Sequence, residues 1–270
     1  MKNGLVVFTD LDGTLLDARD YSFGPAREAL GLLHNLNIPL VLTTSKTRAE
    51  VLEYRKALSN PHPFIVENGG CVYIPEGYFP FEIEAPAQEG FHKIELGKPY
   101  RALRVFLYFL RESGFNARGF GDMSDEEVAA LTGLSPVEAG LARAREYDEP
   151  FIFENGGGRL DELERLAANE GLSLTKGRFL HLKGCNDKGQ AVGLLKDCYS
   201  KVLDGMATAG LGDNANDGPM LDAVDFPFLV KKPDGTYAAW DNPRIVRTQG
   251  VGPEGWNEAV VGLLKILQLL

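Results

Sequence analysis

Leu5–Phe8 is an unbroken apolar run that leads through Thr9 into Asp10-Leu11-Asp12-Gly13-Thr14. A run this short, ending in a turn, reads as a strand buried on both faces. The rhythm continues with a helical stretch over 25–36, a strand over 38–43, a helix over 47–58 and a strand over 64–66. It resumes near Asp187 with a helix to Val202, a strand over 207–211, a short helix over 219–223 and a strand over 226–230. An amphipathic helix over 256–270 closes the chain. Strands alternating with helices predict an α/β fold with a Rossmann-like parallel-sheet core.

Between the two βα regions, residues 83–183 lose that regularity and read as an inserted α+β cap domain, leaving 1–82 and 184–270 as the core. Helices are expected there over 100–113, 124–131, 135–144 and 159–171, the second opened by a capping box in which Glu127 follows Ser124 by three residues. One octapeptide recurs: PFIVENGG at 63–70 and PFIFENGG at 150–157 match at seven of eight positions. A strand running into an Asn-Gly turn accounts for both copies without two equivalent sites.

A formal net charge of -10 argues against nucleic acid or an anionic membrane as partner, because both demand a basic surface. A small anionic substrate needs only a local basic pocket. Neither apolar end is long and clean enough for a signal or a membrane span. Cys71, Cys185 and Cys198 are odd in number and far apart, as expected of reduced thiols in a cytoplasmic protein. The scattered histidines make an oxygen-ligated metal the better expectation.

Four polar segments follow apolar strands or open helices. Asp10 and Asp12 fall at the carboxyl end of the first strand, the edge where open α/β sheets bind ligands. One carboxylate could attack while the other moves a proton, with Gly13 permitting the tight turn. Thr43-Thr44-Ser45-Lys46-Thr47 offers hydroxyls and amides to phosphate oxygens, although Ser45 or Thr47 could simply cap the helix. Lys188 opens a predicted helix, where a cation opposes the helix dipole unless an anion compensates, and a solvated lysine is the alternative. Gly212-Asp213-Asn214-Ala215-Asn216-Asp217 sets two acids four apart in a tight loop, suited either to Mg²⁺ or to turn formation alone.

The set Asp10-x-Asp12-Gly13-Thr14, Thr44, Lys188 and Gly212-Asp213-x-x-Asn216-Asp217 resembles the haloacid dehalogenase superfamily of phosphotransferases. Within it the chain is similar to the mannosyl-3-phosphoglycerate phosphatases. That likeness is carried by Thr44-Ser45-Lys46-Thr47-Arg48-Ala49-Glu50, Glu67-Asn68-Gly69-Gly70, Gly119-Phe120-Gly121-Asp122-Met123-Ser124 and Arg145-Glu146-Tyr147-Asp148-Glu149-Pro150. Relatives with this kind of cap often carry Thr-Gly-Arg where this chain has Thr44-Ser45-Lys46, which leaves open whether Thr44 or Ser45 meets phosphate.

The resemblance implies a nucleophilic Asp10 forming an aspartyl phosphate, Asp12 as acid and base, and Thr44 and Lys188 beside the phosphoryl group. It implies Mg²⁺ on the Asp10 carboxylate, the Asp12 carbonyl and Asp213, with Asp217 in support. Asn68, Gly69 and Gly70 become candidates for the leaving group or the cap, with Ser45 and Lys46 also near the substrate. Arg143, Arg145, Arg178 and His181 are candidates for gripping a sugar-glycerate phosphate from the cap. A sugar-phosphate mutase or a non-catalytic metabolite sensor on the same fold are the competing expectations.

Overall fold

A computed structural model describes residues 4–154 and 159–270. The chain begins with β1 (Leu5–Thr9), α1 (Arg27–Asn35), β2 (Leu40–Thr43), α2 (Arg48–Ala57) and β3 (Phe64–Val66), then turns back through β4 (Cys71–Pro75), β5 (Ala87–Gln88) and β6 (Phe91–Glu95). A second region holds α3 (Tyr100–Glu112), β7 (Ala117–Gly119), α4 (Asp125–Thr132), α5 (Pro136–Arg143), β8 (Asp148–Phe153), α6 (Leu160–Asn169), β9 (Leu172–Lys176) and β10 (Leu180–Gly184). The chain returns as α7 (Lys188–Ser200), β11 (Ala207–Gly212), α8 (Gly218–Asp222), β12 (Phe226–Lys231), β13 (Val246–Val251) and α9 (Pro253–Ile266).

The main sheet has nine strands in the order β13-β12-β11-β1-β2-β3-β4-β6-β5, parallel from β13 to β3 and antiparallel beyond. Alternation along β1 places Leu5 and Val7 in one core layer with Leu33, Leu211 and Trp256, and Val6 and Phe8 in the other with Leu195 and Leu221. Both faces are therefore covered, which is why the strand sequence is apolar throughout. From β1 the chain proceeds outward to β2 and β3, whereas β11, β12 and β13 proceed the other way. The strand order therefore reverses between β1 and β11, and the crevice at such a reversal is where open α/β sheets seat ligands.

The second region makes its own four-stranded antiparallel sheet, β7-β8-β10-β9, backed by a separate apolar cluster around Leu103, Leu107, Phe151 and Leu163. The sequence pattern begins the insertion at residue 83, but β5 and β6 hydrogen-bond within the main sheet through β4. The chain leaves the main sheet after Glu95 and rejoins the core at Gly184, where a Cβ would lie 2.9 Å from the Lys98 amide nitrogen. Exit and return thus run side by side.

Several boundaries shift. The first helix opens with a 3-10 turn at Gly24–Ala26, and the closing helix starts at Pro253 because Gly252 (φ 52°) turns the chain and proline suits a first helical position. The octapeptide copies fall in different sheets, β3 and β8, and Asn155, Gly156 and Gly157 of the second lie outside the described residues.

Candidate active site

The carboxyl ends of β1 and β11 bring Asp10 and Asp213 together across the point of reversal, and the 3-10 turn at Ala215–Asp217 adds Asp217. One carboxylate oxygen from each of these three lies within 4.8 Å of the others. Lys188, fully buried in the first turn of α7, donates to Asp10 Oδ1 at 2.7 Å and to Asp217 Oδ1 at 2.6 Å. The unfavourable position of a lysine at a helix start is thus offset by two anions. Burial, outweighed by those carboxylates, leaves the Lys188 ammonium above its usual range. The Asp10 pKa also rises: burial and then Asp217 push its carboxyl well up. Burial, with Asp217 next, also pushes Asp213 up to about 7.

Three carboxylates facing one lysine leave an excess of two negative charges in a buried place. Asp217 is the most heavily engaged of the three, since its second oxygen accepts the amides of Asp213 and Asn214 at 3.0 and 2.9 Å. Among the described residues Asp213 accepts only from the Thr14 hydroxyl, at 3.3 Å, and Asp10 keeps one oxygen clear of Lys188. Such a donor set fits a hard divalent cation. Gly13 (φ 76°) makes room: a Cβ there would lie 2.9 Å from Asp213 Oδ2.

Above this floor lies a cavity of about 300 Å³ lined by Asp10, Asp12, Ser45, Lys46, Asn68 and Asp213 below, and by Arg145, Lys176, Arg178 and His181 from the second region. Lys46 Nζ sits 3.0 Å from Asp12 Oδ2 and 3.5 Å from Glu50. Burial would lower its pKa, but Asp12 and Glu50 overcome this and hold the ammonium firmly charged. Asp12 Oδ1 is buried without a hydrogen-bond partner among the described residues. Ser45 lines the cavity, whereas Thr44 lies beneath it with its hydroxyl accepting the Lys46 amide at 3.2 Å.

The turn after β3 joins floor to roof. Glu67, Asn68 and Gly69 all take left-handed backbone (φ 49°, 57° and 83°), an unusual run for two residues with side chains. Glu67 is fully buried and accepts the amides of Glu146 and Tyr147 at 2.8 to 3.1 Å. Gly69 and Gly70 do not line the cavity: a Cβ on Gly69 would lie 2.1 Å from the Asp187 carbonyl and one on Gly70 would lie 2.5 Å from Tyr147 Cβ. They let α7 and the second region approach closely.

The four cationic candidates differ. Arg145 lines the cavity while donating to Ser45 O at 2.7 Å, and Arg178 lines it while donating to the carbonyls of Leu131 and Thr132. His181 lines it with Nδ1 2.7 Å from Asp148. Arg143 does not; it bonds Asp125 and Phe120 O inside the second region. Sequence reasoning passed over Tyr21, Asp148, Lys176 and Asn216, although Asp148 and Asn216 sat within quoted motifs.

The segment 7–123 matches the haloacid dehalogenase-like hydrolase family model. The chain is 45% identical to a glucosyl-3-phosphoglycerate/mannosyl-3-phosphoglycerate phosphatase of Methanococcoides burtonii, over 96% of this chain and 97% of that one. It is 41% identical to a protein of the same description from Persephonella marina, over 98% of each. Among solved structures, a protein of Thermoplasma acidophilum superposes with a TM-score of 0.66 at 18% identity, over 99% of this chain and 100% of that one.

Proposed function

The chain belongs to the haloacid dehalogenase-like hydrolases, and from that premise we propose that it removes the phosphate from glucosyl- or mannosyl-3-phosphoglycerate through an aspartyl phosphate on Asp10. The observation that carries this reading is the charge arrangement, an acidic floor at the strand reversal facing a basic roof across one cavity. Phosphate belongs at the floor, where a bound cation would offset its charge, and the substrate's carboxylate suits the arginines and lysine above.

In the first step Asp10 attacks phosphorus and the bond to the leaving oxygen breaks, that oxygen taking a proton from Asp12. Asp12 then draws a proton from water, whose oxygen attacks the same phosphorus and frees Asp10 and inorganic phosphate. The unpartnered Oδ1 of Asp12 supports this role, because a buried oxygen without a partner is costly unless a ligand completes it. Lys46 holds the other oxygen of Asp12. Lys188 fixes Asp10 and Asp217, and Ser45 together with the amides after β2 faces the phosphoryl oxygens. Asp10, the Asp12 carbonyl and Asp213, with Asp217 in support, would hold Mg²⁺, which would supply positive charge to offset that on the transferring group.

Phosphate release measured with Mg²⁺ on glucosyl-3-phosphoglycerate, mannosyl-3-phosphoglycerate, mannose 6-phosphate and 3-phosphoglycerate tests the proposal. The first two should be preferred; preference for either of the last two overturns the substrate.

A further inference from the structure

Four side chains form an unbroken hydrogen-bonded row from roof to floor. His181 Nδ1 meets Asp148 Oδ1 at 2.7 Å, Asp148 Oδ2 accepts from Asn68 Nδ2 at 3.0 Å, and Asn68 Oδ1 accepts from Asn216 Nδ2 at 2.9 Å. His181 and Asp148 belong to β10 and β8 of the second sheet, Asn68 to the left-handed turn after β3, and Asn216 to the acidic loop between Asp213 and Asp217. Asp148 is fully buried and Asn68 nearly so. Asn68 and Asn216 line both the main cavity and a second one of about 190 Å³, so this amide pair stands between the two.

We propose that Asp148 is a positioning residue that sets the direction of every hydrogen bond in this row, and so decides which atoms of His181 and Asn216 meet the sugar part of the substrate. A carboxylate only accepts, whereas an amide has one accepting end and one donating end. With both Asp148 oxygens accepting, His181 must place its N–H at Nδ1, leaving Nε2 as the ring position for a ligand. Asn68 must turn its amino group toward Asp148, which turns its oxygen toward Asn216. Asn216 must then turn its own amino group inward, leaving Oδ1 available at the wall between the cavities. One buried charge thus fixes three orientations, and all three side chains line the substrate cavity. Burial raises the Asp148 pKa, but His181 and Arg145 outweigh it, so the group stays ionised. Hydroxyls of a hexose are the chemical class that such fixed atoms discriminate, and this part rests on the function proposed above.

The test exploits direction. In Asp148→Asn the new amide bonds both neighbours only if His181 moves its N–H to Nε2 or if Asn68 and Asn216 both turn round, so the row no longer has one fixed direction. In the exchanged pair Asn68→Asp with Asp148→Asn, the carboxylate at 68 accepts from both neighbours and the amide oxygen at 148 accepts from His181; the central bond reverses, but His181 and Asn216 keep their wild-type orientations. Aspartate tolerates the left-handed backbone at 68. On glucosyl-3-phosphoglycerate, Asp148→Asn should raise KM roughly tenfold or more and change kcat less, as loss of a hydrogen bond to a charged group does. The exchanged pair should recover KM to within about threefold of wild type. Thermal unfolding, which needs no substrate, should fall in the single variant and recover in the pair. A folded exchanged pair as impaired in KM as Asp148→Asn overturns the proposal, as does a single variant with unchanged KM and melting. Failure of the wild-type protein to hydrolyse either sugar-phosphoglycerate refutes the proposed substrate instead, and leaves the melting comparison to decide the row.

Discussion

At the residue scale, the chemistry rests on groups whose environments conflict with their charges. Asp10→Asn keeps the shape and the Lys188 contact but lacks a nucleophile. Phosphate release should fall by roughly a thousandfold or more while the melting temperature holds; turnover near wild type would exclude Asp10 from bond making. Removing divalent cations with a chelator should stop turnover and added Mg²⁺ should restore it, and Gly13→Ala should weaken that restoration because its Cβ crowds Asp213 in a strained backbone. Glu67 offers a pH signature away from these acids. Burial pushes its carboxyl up to about 8 against the pull of Arg145. Its folded pKa therefore exceeds its unfolded value of about 4.3, so its contribution to stability is complete below the latter and fades as pH climbs through the former. Denaturant midpoints measured from pH 5 to 9 should decline with pH, and Glu67→Gln should flatten that decline.

At the scale of elements, what the sequence disclosed follows from how local each signal is. β1 and β11 were legible because burial on both faces leaves an apolar run, and the capping box of α4 because its spacing is fixed by one helical turn. β13 was not legible. Its sequence, Val-Arg-Thr-Gln-Gly-Val, is largely exposed at the sheet edge and is held by its register with β12 rather than by its own pattern. The same reason hid Asp148 as a separate choice, since nothing near it in sequence reveals an Asn eighty positions earlier. Gly69 and Gly70 could be read as ligand-facing only until their neighbours Asp187 and Tyr147 were known. The α2 cap illustrates a local signal with a distant extension. Thr47 and Glu50 cap the helix reciprocally, and the Thr47 hydroxyl also donates to Leu141 O at 2.9 Å in α5. Thr47→Ala should cost about 1 to 2 kcal/mol in unfolding free energy by denaturant titration.

At the scale of the whole molecule, floor and roof divide the work. We take the cap to be the region from Lys98 to Lys183, rather than one beginning at residue 83, because β6 is part of the main sheet. A variant with Gly97 joined to Gly184 through a short Gly-Ser link should retain the nine-stranded sheet and lose its preference for sugar-phosphoglycerates before it loses hydrolysis. A soluble variant with unchanged preference among the four esters would place selectivity in the core.

Because the inserted region departs and returns at neighbouring points, the core needs only a narrow gap to host it, and the chain on either side is not stretched or redirected. An interruption of that form is exchangeable. Its replacement by another sequence with adjacent ends would leave the main sheet's register alone, so new leaving groups could be recruited by lineages that never alter the nucleophile.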